Sequence, residues 1–313
     1  MSRTERIAVV GATGAVGAVT LRLLRERGYE NVRVFASARS AGTTLGDGLV
    51  VEEATPEALS AGDIDLALFS VGTSASRELV PYAVRGGAVA VDKSSAYRLE
   101  PGIPLVVPEV NGARALEHDG IVANPNCCTI PLACVLKPLH DAAGLRRVRV
   151  STYQSVSGAG AQRMEQLRGE PQEEHDLVMD WSWVGDETDE ESKIRAETQK
   201  VLELPELPLS ATTVRVPVLV GHAEAVWIEL EQALSPEQAT ELLRAAPSVR
   251  VVDAPTPRGS AQVDDVLVGR IRTDRAAENG LALFLACDNL NKGAALNAIQ
   301  IAELLLDRTR VAA

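Results

Sequence analysis

The sequence predicts an α/β protein of two domains, a doubly wound parallel sheet followed by an α+β domain. Short apolar runs alternate with helical patterns over the first 126 residues, which is typical of parallel strands joined by helices. Longer runs in which apolar and polar residues alternate follow residue 146, as in a mixed or antiparallel sheet. The 313 residues suit two domains. We place them at residues 1–126, completed by a C-terminal helix at 290–313, and at residues 127–289.

The elements of the first domain can be placed from their apolar periodicity. An apolar strand at residues 6–10 leads into a glycine-rich loop, and a helix near 15–27 ends at Gly28. The remaining predicted elements are, in order, a strand at 31–37, a strand at 63–72, a helix at 74–85 and a strand at 86–95.

The second domain opens with a helix that we expect to begin near Cys127 and to end at Gly144. Pro131 falls in its first turn, where a proline is tolerated. Charged, irregular residues at 165–192 predict a surface loop, and an apolar helical pattern predicts the last helix at about 291–307. The predicted strands lie at 146–156, 211–220, 222–232, 263–274 and 280–289.

Composition excludes several classes of function. The formal net charge of −12 opposes binding to nucleic acid and to anionic membranes, although local basic residues can still hold a small phosphorylated substrate. The N-terminal residues do not resemble a signal peptide and no apolar run is long enough to span a bilayer, so we expect a cytoplasmic protein. The four cysteines form no C-x-x-C pair, which argues against a metal site.

The stretch GATGAVG places Gly11, Gly14 and Gly17 between the first strand and the first helix. Glycines let the backbone approach a pyrophosphate, and the helix N-terminus offers N–H donors and the positive end of a dipole. The context predicts a Rossmann-like dinucleotide site, and the alternative is a tight structural turn.

The end of the second predicted strand bears on the choice of nucleotide. NAD enzymes commonly carry an acid about 20 residues after the loop. This region instead offers Ser37, Arg39 and Ser40, whose guanidinium and hydroxyls suit the 2′-phosphate of NADP. We therefore favour NADP, and the alternative is that Arg39 is an ordinary surface arginine.

Two adjacent cysteines, Cys127 and Cys128, follow an Asn-Pro-Asn turn in NPNCCTIPL. A thiolate at a helix N-terminus is stabilised by the dipole, which lowers the pKa of the thiol. Successive helical residues point about 100° apart, so only one of the two can face a cofactor. Packing of both thiols in the core is the alternative.

Several ordered stretches resemble the aspartate-semialdehyde dehydrogenase family over nearly the whole chain. They are GATGAVG, DKSSAYRL, PLVVPEVN, NPNCCTIPL, STYQSVSGAG, TTVRVPVLVGHAEAV and CDNLNKGAALNAIQIAELL. The family's nucleophile directly follows the Pro-Asn pair, which implies Cys127. Cys128 stands where the family commonly has Ser or Thr and is interpreted as a small helix residue.

The resemblance also implies partners for the thiol. Gln154 would orient the substrate, and His222 would be the general acid and base, since an imidazole titrates near neutrality. Arg215 would bind the substrate α-carboxylate with its planar guanidinium. The remaining implied substrate-binding residues are Arg98 and Lys193 for phosphate, Glu190 for the amino group and Asn126 for the thiohemiacetal oxygen. Ion pairing of Glu190 with Lys193 on a solvated helix face is the alternative for that pair.

The resemblance implies NADP as cofactor, a small-molecule substrate and a homodimer or homotetramer. The reaction implied is the reductive dephosphorylation of L-aspartyl-4-phosphate in lysine, methionine and threonine biosynthesis. The first domain would bind NADP, and the second would carry catalysis and dimerisation. The cofactor-binding residues implied are Gly11, Thr13, Gly14, Ala15, Val16, Gly17, Ser37, Arg39, Ser40, Ser157, Gly158 and Asn289.

The chain departs from the family pattern between Gln162 and Glu190. This segment is shorter than usual and lacks the family's Asn-x-x-Pro stretch, which leaves the oligomeric state open. Asn291 stands where an arginine is common. Two alternatives stay open. One is a diverged relative acting on another acyl phosphate or aldehyde, such as N-acetylglutamyl phosphate or a secondary-metabolite intermediate, and the other is a non-catalytic NADP-binding protein.

Overall fold

The computed structural model describes residues 3–46, 48–171 and 174–312, with side chains to residue 307. The chain forms two compact units. The first comprises Met1–Pro125 with Ala294–Ala313, and the second comprises Asn126–Gly293. Among the described residues, no helix has the length and apolar character that crossing a membrane requires.

A six-stranded sheet in which every pair of neighbours is parallel forms the centre of the first unit, which confirms the predicted α/β class. Its strands are fully buried near the middle, as expected when helices cover both faces. The spatial order is β3-β2-β1-β4-β5-β6, with bounds β1 Ile7–Val10, β2 Val32–Ala36, β3 Glu52–Glu53, β4 Leu66–Phe69, β5 Val89–Asp92 and β6 Ile121–Ala123.

Helices pack against this sheet and share one hydrophobic core with it. The C-terminal helix contributes Ile299, Ile301 and Ala302 to the same buried cluster as Val9 of β1 and Leu24 of the first helix, so it belongs to the first unit. A six-residue 3-10 helix spans Gly112–Glu117. The α-helices of this unit are α1 Ala15–Glu26, α2 Pro56–Leu59, α3 Thr73–Arg85, α4 Pro108–Asn111 and, numbered last in chain order, α10 Leu296–Ala312.

The second unit is built on a mixed six-stranded sheet, as the longer alternating strands predict. Two outer pairs are parallel and the three central pairs are antiparallel. The spatial order is β10-β7-β11-β14-β13-β12, with bounds β7 Leu145–Gln154, β10 Leu209–Arg215, β11 His222–Leu230, β12 Val249–Val251, β13 Val266–Thr273 and β14 Gly280–Cys287.

Helices pack against one face of this sheet. The most apolar of them contacts four of its strands and two neighbouring helices. A 3-10 helix spans Val156–Ala159 and a π-helical turn spans Asn291–Ala295. The α-helices are α5 Thr129–Ala143, α6 Ala161–Gly169, α7 Asp189–Leu202, α8 Pro236–Ala245 and α9 Pro257–Ser260.

Two local predictions differ from the structure. Helix α5 begins at Thr129, with Cys128 as its N-cap residue, and not at Cys127. Residues 165–192 are not one irregular loop. They include the end of α6, a small hairpin of β8 Trp183–Val184 and β9 Glu187–Thr188, and the start of α7. A capping box at Thr188 and Glu191 starts α7 in a stretch whose charge alone indicated a solvated loop.

Candidate active site

Three predicted site residues meet at one edge of the second sheet. Gln154 ends β7 and pairs in register with Arg215, which ends the parallel strand β10. His222 begins the antiparallel strand β11 at that same edge. All three side chains are buried. Side chains alternate between the two faces of a strand. The Gln154 amide, the Arg215 guanidinium and the His222 imidazole therefore lie together at the end of the buried face, beyond the apolar residues that fill its middle.

Asn126 shapes the turn that carries the two thiols. Its Oδ1 accepts the N–H of Cys128 at 2.8 Å, and its own N–H donates to the Glu197 carboxylate at 2.6 Å. Cys127 is partly exposed, whereas Cys128 is completely buried. Burial, followed by the neighbouring Cys127, raises the pKa of the Cys128 thiol well above its ordinary value. Cys127 is therefore the thiol that an entering molecule can reach.

His222 lies beside both thiols. One of its ring nitrogens and the two Sγ atoms are all within 4.8 Å of one another. The backbone N–H of Ser155 donates to His222 Nδ1 at 2.9 Å, so the neutral ring carries its proton on Nε2. Nε2 is buried and has no hydrogen-bond partner among the described residues. Neutral His222 therefore offers the site an N–H donor and not the lone pair that a metal ion would need.

Arg215 is held in place by Asp180, Ser155 and Trp181, which no motif in the sequence links to it. Its Nε donates to both carboxylate oxygens of Asp180, at 2.9 and 2.8 Å, and its Nη1 donates to the Ser155 carbonyl at 3.1 Å. The Trp181 ring lies against the guanidinium, with 4.6 Å between the Arg215 Cζ and the ring centroid. The predicted carboxylate-binding residue is thus oriented before any ligand enters.

Glu190, at the start of α7, faces the same place. Its Oε1 accepts from the Asn126 Nδ2 at 2.9 Å and from the Gln154 Nε2 at 3.2 Å. Burial, followed by Cys127, raises the pKa of this carboxyl. The predicted pair with Lys193 is long, at 3.8 Å, because the Lys193 Nζ bonds to Asp189 at 2.6 Å. Glu190 therefore has the environment of a group that gains from meeting a cation.

Glu224 is a second buried acid near Cys127, and no motif in the sequence indicated it. It lies two residues after His222 on β11, on the same buried face, and it is fully buried. No hydrogen bond of normal geometry reaches either of its oxygens from the described residues. Burial, followed by Cys127, raises the pKa of Glu224 well above its ordinary value, and only the Cys128 thiol opposes the shift. The period of two along a strand is the signal that would have paired it with His222.

A polar cluster lies behind His222. The Asn289 Oδ1 accepts from the Ser155 and Ser157 hydroxyls, each at 3.1 Å, and from the Gly221 N–H at 2.9 Å. A Cβ at Gly158 would lie 3.2 Å from His222 Nε2 and 3.3 Å from the Arg215 Nη1. The absence of a side chain at Gly158 therefore leaves a small space bordered by both of these nitrogens.

The glycine-rich loop of the first unit has the close contacts that its spacing predicts. Gly11 has φ +89°, and a Cβ there would lie 2.4 Å from the Ser70 carbonyl oxygen. A Cβ at Gly17 would lie 2.2 Å from the Gly11 carbonyl oxygen. Gly14, the N-cap of α1, has more room and supplies no side-chain cap. The first N–H groups of α1, at Ala15, Val16 and Gly17, are thus placed as donors for an anion.

The other predicted residues of the first unit also have definite places. Strand β2 ends at Ala36, and Ser37, Arg39 and Ser40 follow it, with Ser37 and Arg39 exposed. Arg98 is buried, and its Nε and Nη2 donate to the carbonyls of Asn124 and Lys93, at 3.0 and 2.7 Å.

Two family models match the chain in the same order as the two units. One is described as the NAD-binding domain of semialdehyde dehydrogenase and matches residues 6–118. The other is described as the dimerisation domain of semialdehyde dehydrogenase and matches residues 136–181 and 183–292.

Known proteins resemble the chain over nearly its whole length. An aspartate-semialdehyde dehydrogenase of Streptomyces akiyoshiensis is 45% identical over 96% of this chain and 98% of its own. The crystal structure of aspartate semialdehyde dehydrogenase II of Vibrio cholerae, complexed with ASA, is 37% identical, with a TM-score of 0.91 over 98% of this chain and 99% of that one. The enzyme of Candida albicans, solved with NADP, is 26% identical, with a TM-score of 0.78 over 97% and 98%. The chain therefore belongs to the aspartate-semialdehyde dehydrogenase family.

Proposed function

We propose that this chain is an NADP-dependent aspartate-semialdehyde dehydrogenase. It reduces L-aspartyl-4-phosphate to L-aspartate 4-semialdehyde, with release of phosphate, in the biosynthesis of lysine, methionine and threonine. The observation that carries the proposal is the accessible Cys127 with a ring nitrogen of His222 within 4.8 Å of its sulfur. The names of the relatives, at 41–46% identity, support the choice of substrate.

The first unit is proposed to hold the dinucleotide. The backbone of the glycine-rich loop fits a pyrophosphate, because Gly11 and Gly17 let the loop close tightly while Gly14 leaves its surface open. Arg39 with the hydroxyls of Ser37 and Ser40 is proposed to bind the 2′-phosphate of NADP. The Candida albicans relative solved with NADP supports this preference. Thr13, Ala15 and Val16 complete the proposed pyrophosphate contacts, and Ser157, Gly158 and Asn289 are further proposed cofactor-binding residues.

Cys127 is the proposed nucleophile. Its thiolate attacks the acyl carbon, the C–O bond to phosphate breaks, and a thioester remains on the enzyme. NADPH, when bound, supplies the hydride that converts a thioester to a thiohemiacetal. Collapse of the thiohemiacetal breaks the C–S bond and releases the aldehyde. The thiohemiacetal collapses as its oxyanion, so the sulfur leaves as a thiolate, and the His222 Nε2–H, without a partner among the described residues, is proposed to stabilise that thiolate by a hydrogen bond.

The other side chains are proposed to recognise the ends of the substrate. Arg215 binds the α-carboxylate, and Glu190 accepts the α-ammonium. A cation beside Glu190 offsets the cost of its burial, which is the cause of its raised pKa. Gln154 and Asn126, which both donate to Glu190 in this structure, orient the acyl group, and the Asn126 amide assists at the oxygen. Arg98 and Lys193 neutralise the phosphate.

We propose that the second unit also forms a homodimer, alone or within a homotetramer. The description of its family model as a dimerisation domain supports this. The proposed domains are residues 1–126 with 290–313 for NADP and residues 127–289 for catalysis and dimerisation.

Comparison of two aldehydes tests the proposal. NADP reduction is measured in the presence of phosphate with L-aspartate semialdehyde and with N-acetylglutamate semialdehyde. We expect turnover of the free amino acid only, because an acylated nitrogen offers Glu190 no cation. Glu190→Gln should lower kcat/KM for L-aspartate semialdehyde about tenfold or more, as expected for loss of a charge-assisted contact. Better turnover of the acylated aldehyde would reject the proposed substrate.

A further inference from the structure

Residues 178–181, here called the clasp, wrap around the end of β10. Val178 and Arg215 exchange two backbone hydrogen bonds, with N–O distances of 3.1 and 2.8 Å. This short pairing brings Asp180 and Trp181 back onto the side chain of Arg215. The clasp lies within the segment between Gln162 and Glu190, which is shorter than the family pattern.

The clasp contacts one edge and one face of the guanidinium. Asp180 binds Nε only, and Trp181 covers a face. Nη1 donates once, to Ser155, and Nη2 makes no hydrogen bond to any of the described residues. Nη2 therefore keeps both of its N–H groups and Nη1 keeps one for a substrate carboxylate. Nη1 borders the same space, in front of Gly158, as His222 Nε2.

The clasp is also tied to the helix that carries Glu190. The Asp189 N–H donates to the Ser182 carbonyl at 2.8 Å, directly after the clasp. The side chain of Glu191 accepts from the Thr213 N–H on β10 at 2.9 Å. One short segment thus joins the group proposed for the carboxylate to the group proposed for the ammonium.

We propose that Asp180 and Trp181 are positioning residues that present the Nη edge of Arg215 to the substrate carboxylate. This inference rests on the proposed function. Asp180 and Trp181 act through Arg215 and do not touch the reacting atoms. They set the affinity for the α-carboxylate, and hence KM, while the chemistry at Cys127 proceeds at an unchanged rate once substrate is bound.

Variants at these positions test the proposal in steady-state kinetics with L-aspartate semialdehyde. Asp180→Ala should raise KM roughly tenfold, the effect of losing one charge-assisted hydrogen bond, with kcat within about threefold of wild type. Asp180→Asn keeps an oxygen that accepts from Nε and should restore most of the affinity. Trp181→Ala should raise KM, and Trp181→Phe should restore it. Asp186→Asn, the same chemical change at an exposed residue of the same segment, is the control and should match wild type.

Alkylation of Cys127 gives a second measurement that does not depend on the identity of the substrate. Iodoacetate carries a carboxylate and iodoacetamide does not, so the ratio of their rates reports how well Arg215 presents its free edge. The ratio should fall in Asp180→Ala, and should stay near the wild-type value in Asp180→Asn and Asp186→Asn.

The outcomes separate this inference from the proposed function. If wild type fails to turn over L-aspartate semialdehyde, the proposed function is wrong, and the alkylation ratio alone decides on the clasp. If wild type is active and Asp180→Ala leaves KM and the ratio unchanged, the clasp has no positioning role. If Asp180→Ala lowers KM, Asp180 competes with the substrate for Arg215, and the proposal is overturned.

Discussion

Replacing Glu224 by Gln tests the electrostatic description of the site. The pKa of Glu224 is raised, so the folded protein binds a proton that the unfolded chain releases once pH exceeds the ordinary carboxyl value. In that pH window the folded state binds more protons than the unfolded state, and the free energy of unfolding therefore falls as pH rises. Gln carries no titrating proton, so this part of the pH dependence is lost in the variant.

The magnitude follows from linkage. Within the window between the two pKa values, each pH unit changes the free energy of unfolding by about 1.4 kcal/mol. The buried Gln amide adds a cost of about 1–3 kcal/mol for unsatisfied donors, but that cost does not change with pH. The difference in slope, and not the difference in stability at one pH, is the expected signal.

Urea unfolding at pH 5, 6 and 7 measures this slope. All three tryptophans, Trp181, Trp183 and Trp227, lie in the second unit, so their fluorescence reports the unfolding of the unit that contains Glu224. Glu229→Gln, on the opposite face of β11 and paired with Arg147, is the control. Parallel pH dependence in wild type and Glu224→Gln would refute the claim that burial raises the pKa of this acid.

Three further predictions concern Arg39, the glycine-rich loop and the turn before α5. Arg39→Ala should raise KM for NADP about tenfold and leave KM for NAD unchanged, and an equal effect on both cofactors would contradict a role at the 2′-phosphate. Gly17→Ala should destabilise the first unit by about 1–3 kcal/mol in thermal melting, because the new Cβ would overlap the Gly11 carbonyl oxygen. Gly14→Ala, where the space is larger, is the control. Equal melting temperatures of the two variants would refute the packing argument. Asn126→Ala should lower kcat and the rate of iodoacetamide labelling of Cys127 about tenfold each, since the turn loses the hydrogen bond that the Cys128 N–H donates to Asn126. An unchanged labelling rate would exclude a role of Asn126 in positioning Cys127.

Much of the fold follows from local pattern. The glycine spacing, the alternation of strands with helices and the apolar C-terminal helix predicted the first unit, because parallel strands buried on both faces have a distinctive apolar signature. The start of α7 was harder to place. Its capping box lies in a run of acidic residues that also suits a solvated loop. Only packing against β10 decides between a helix and a loop here.

Some residues of the site could also be predicted from the sequence, and others could not. Cys127, Gln154, Arg215 and His222 could be named from short motifs that resemble those of the family. Strand register brings Gln154, Arg215 and His222 together, and the Cys127 sulfur lies within 4.8 Å of a ring nitrogen of His222. Asp180 could not be found, because it reaches Arg215 from 35 positions away through a backbone pairing that leaves no periodic signal.

The central claim is that Cys127, and not Cys128, forms the covalent bond to the substrate. The direct measurement is phosphate-dependent reduction of NADP by L-aspartate semialdehyde for wild type, Cys127→Ala and Cys128→Ala. The account predicts turnover by wild type and Cys128→Ala, and none by Cys127→Ala, since Cys128 is fully buried with a raised thiol pKa. Retained activity in Cys127→Ala, or its loss only in Cys128→Ala, would contradict it.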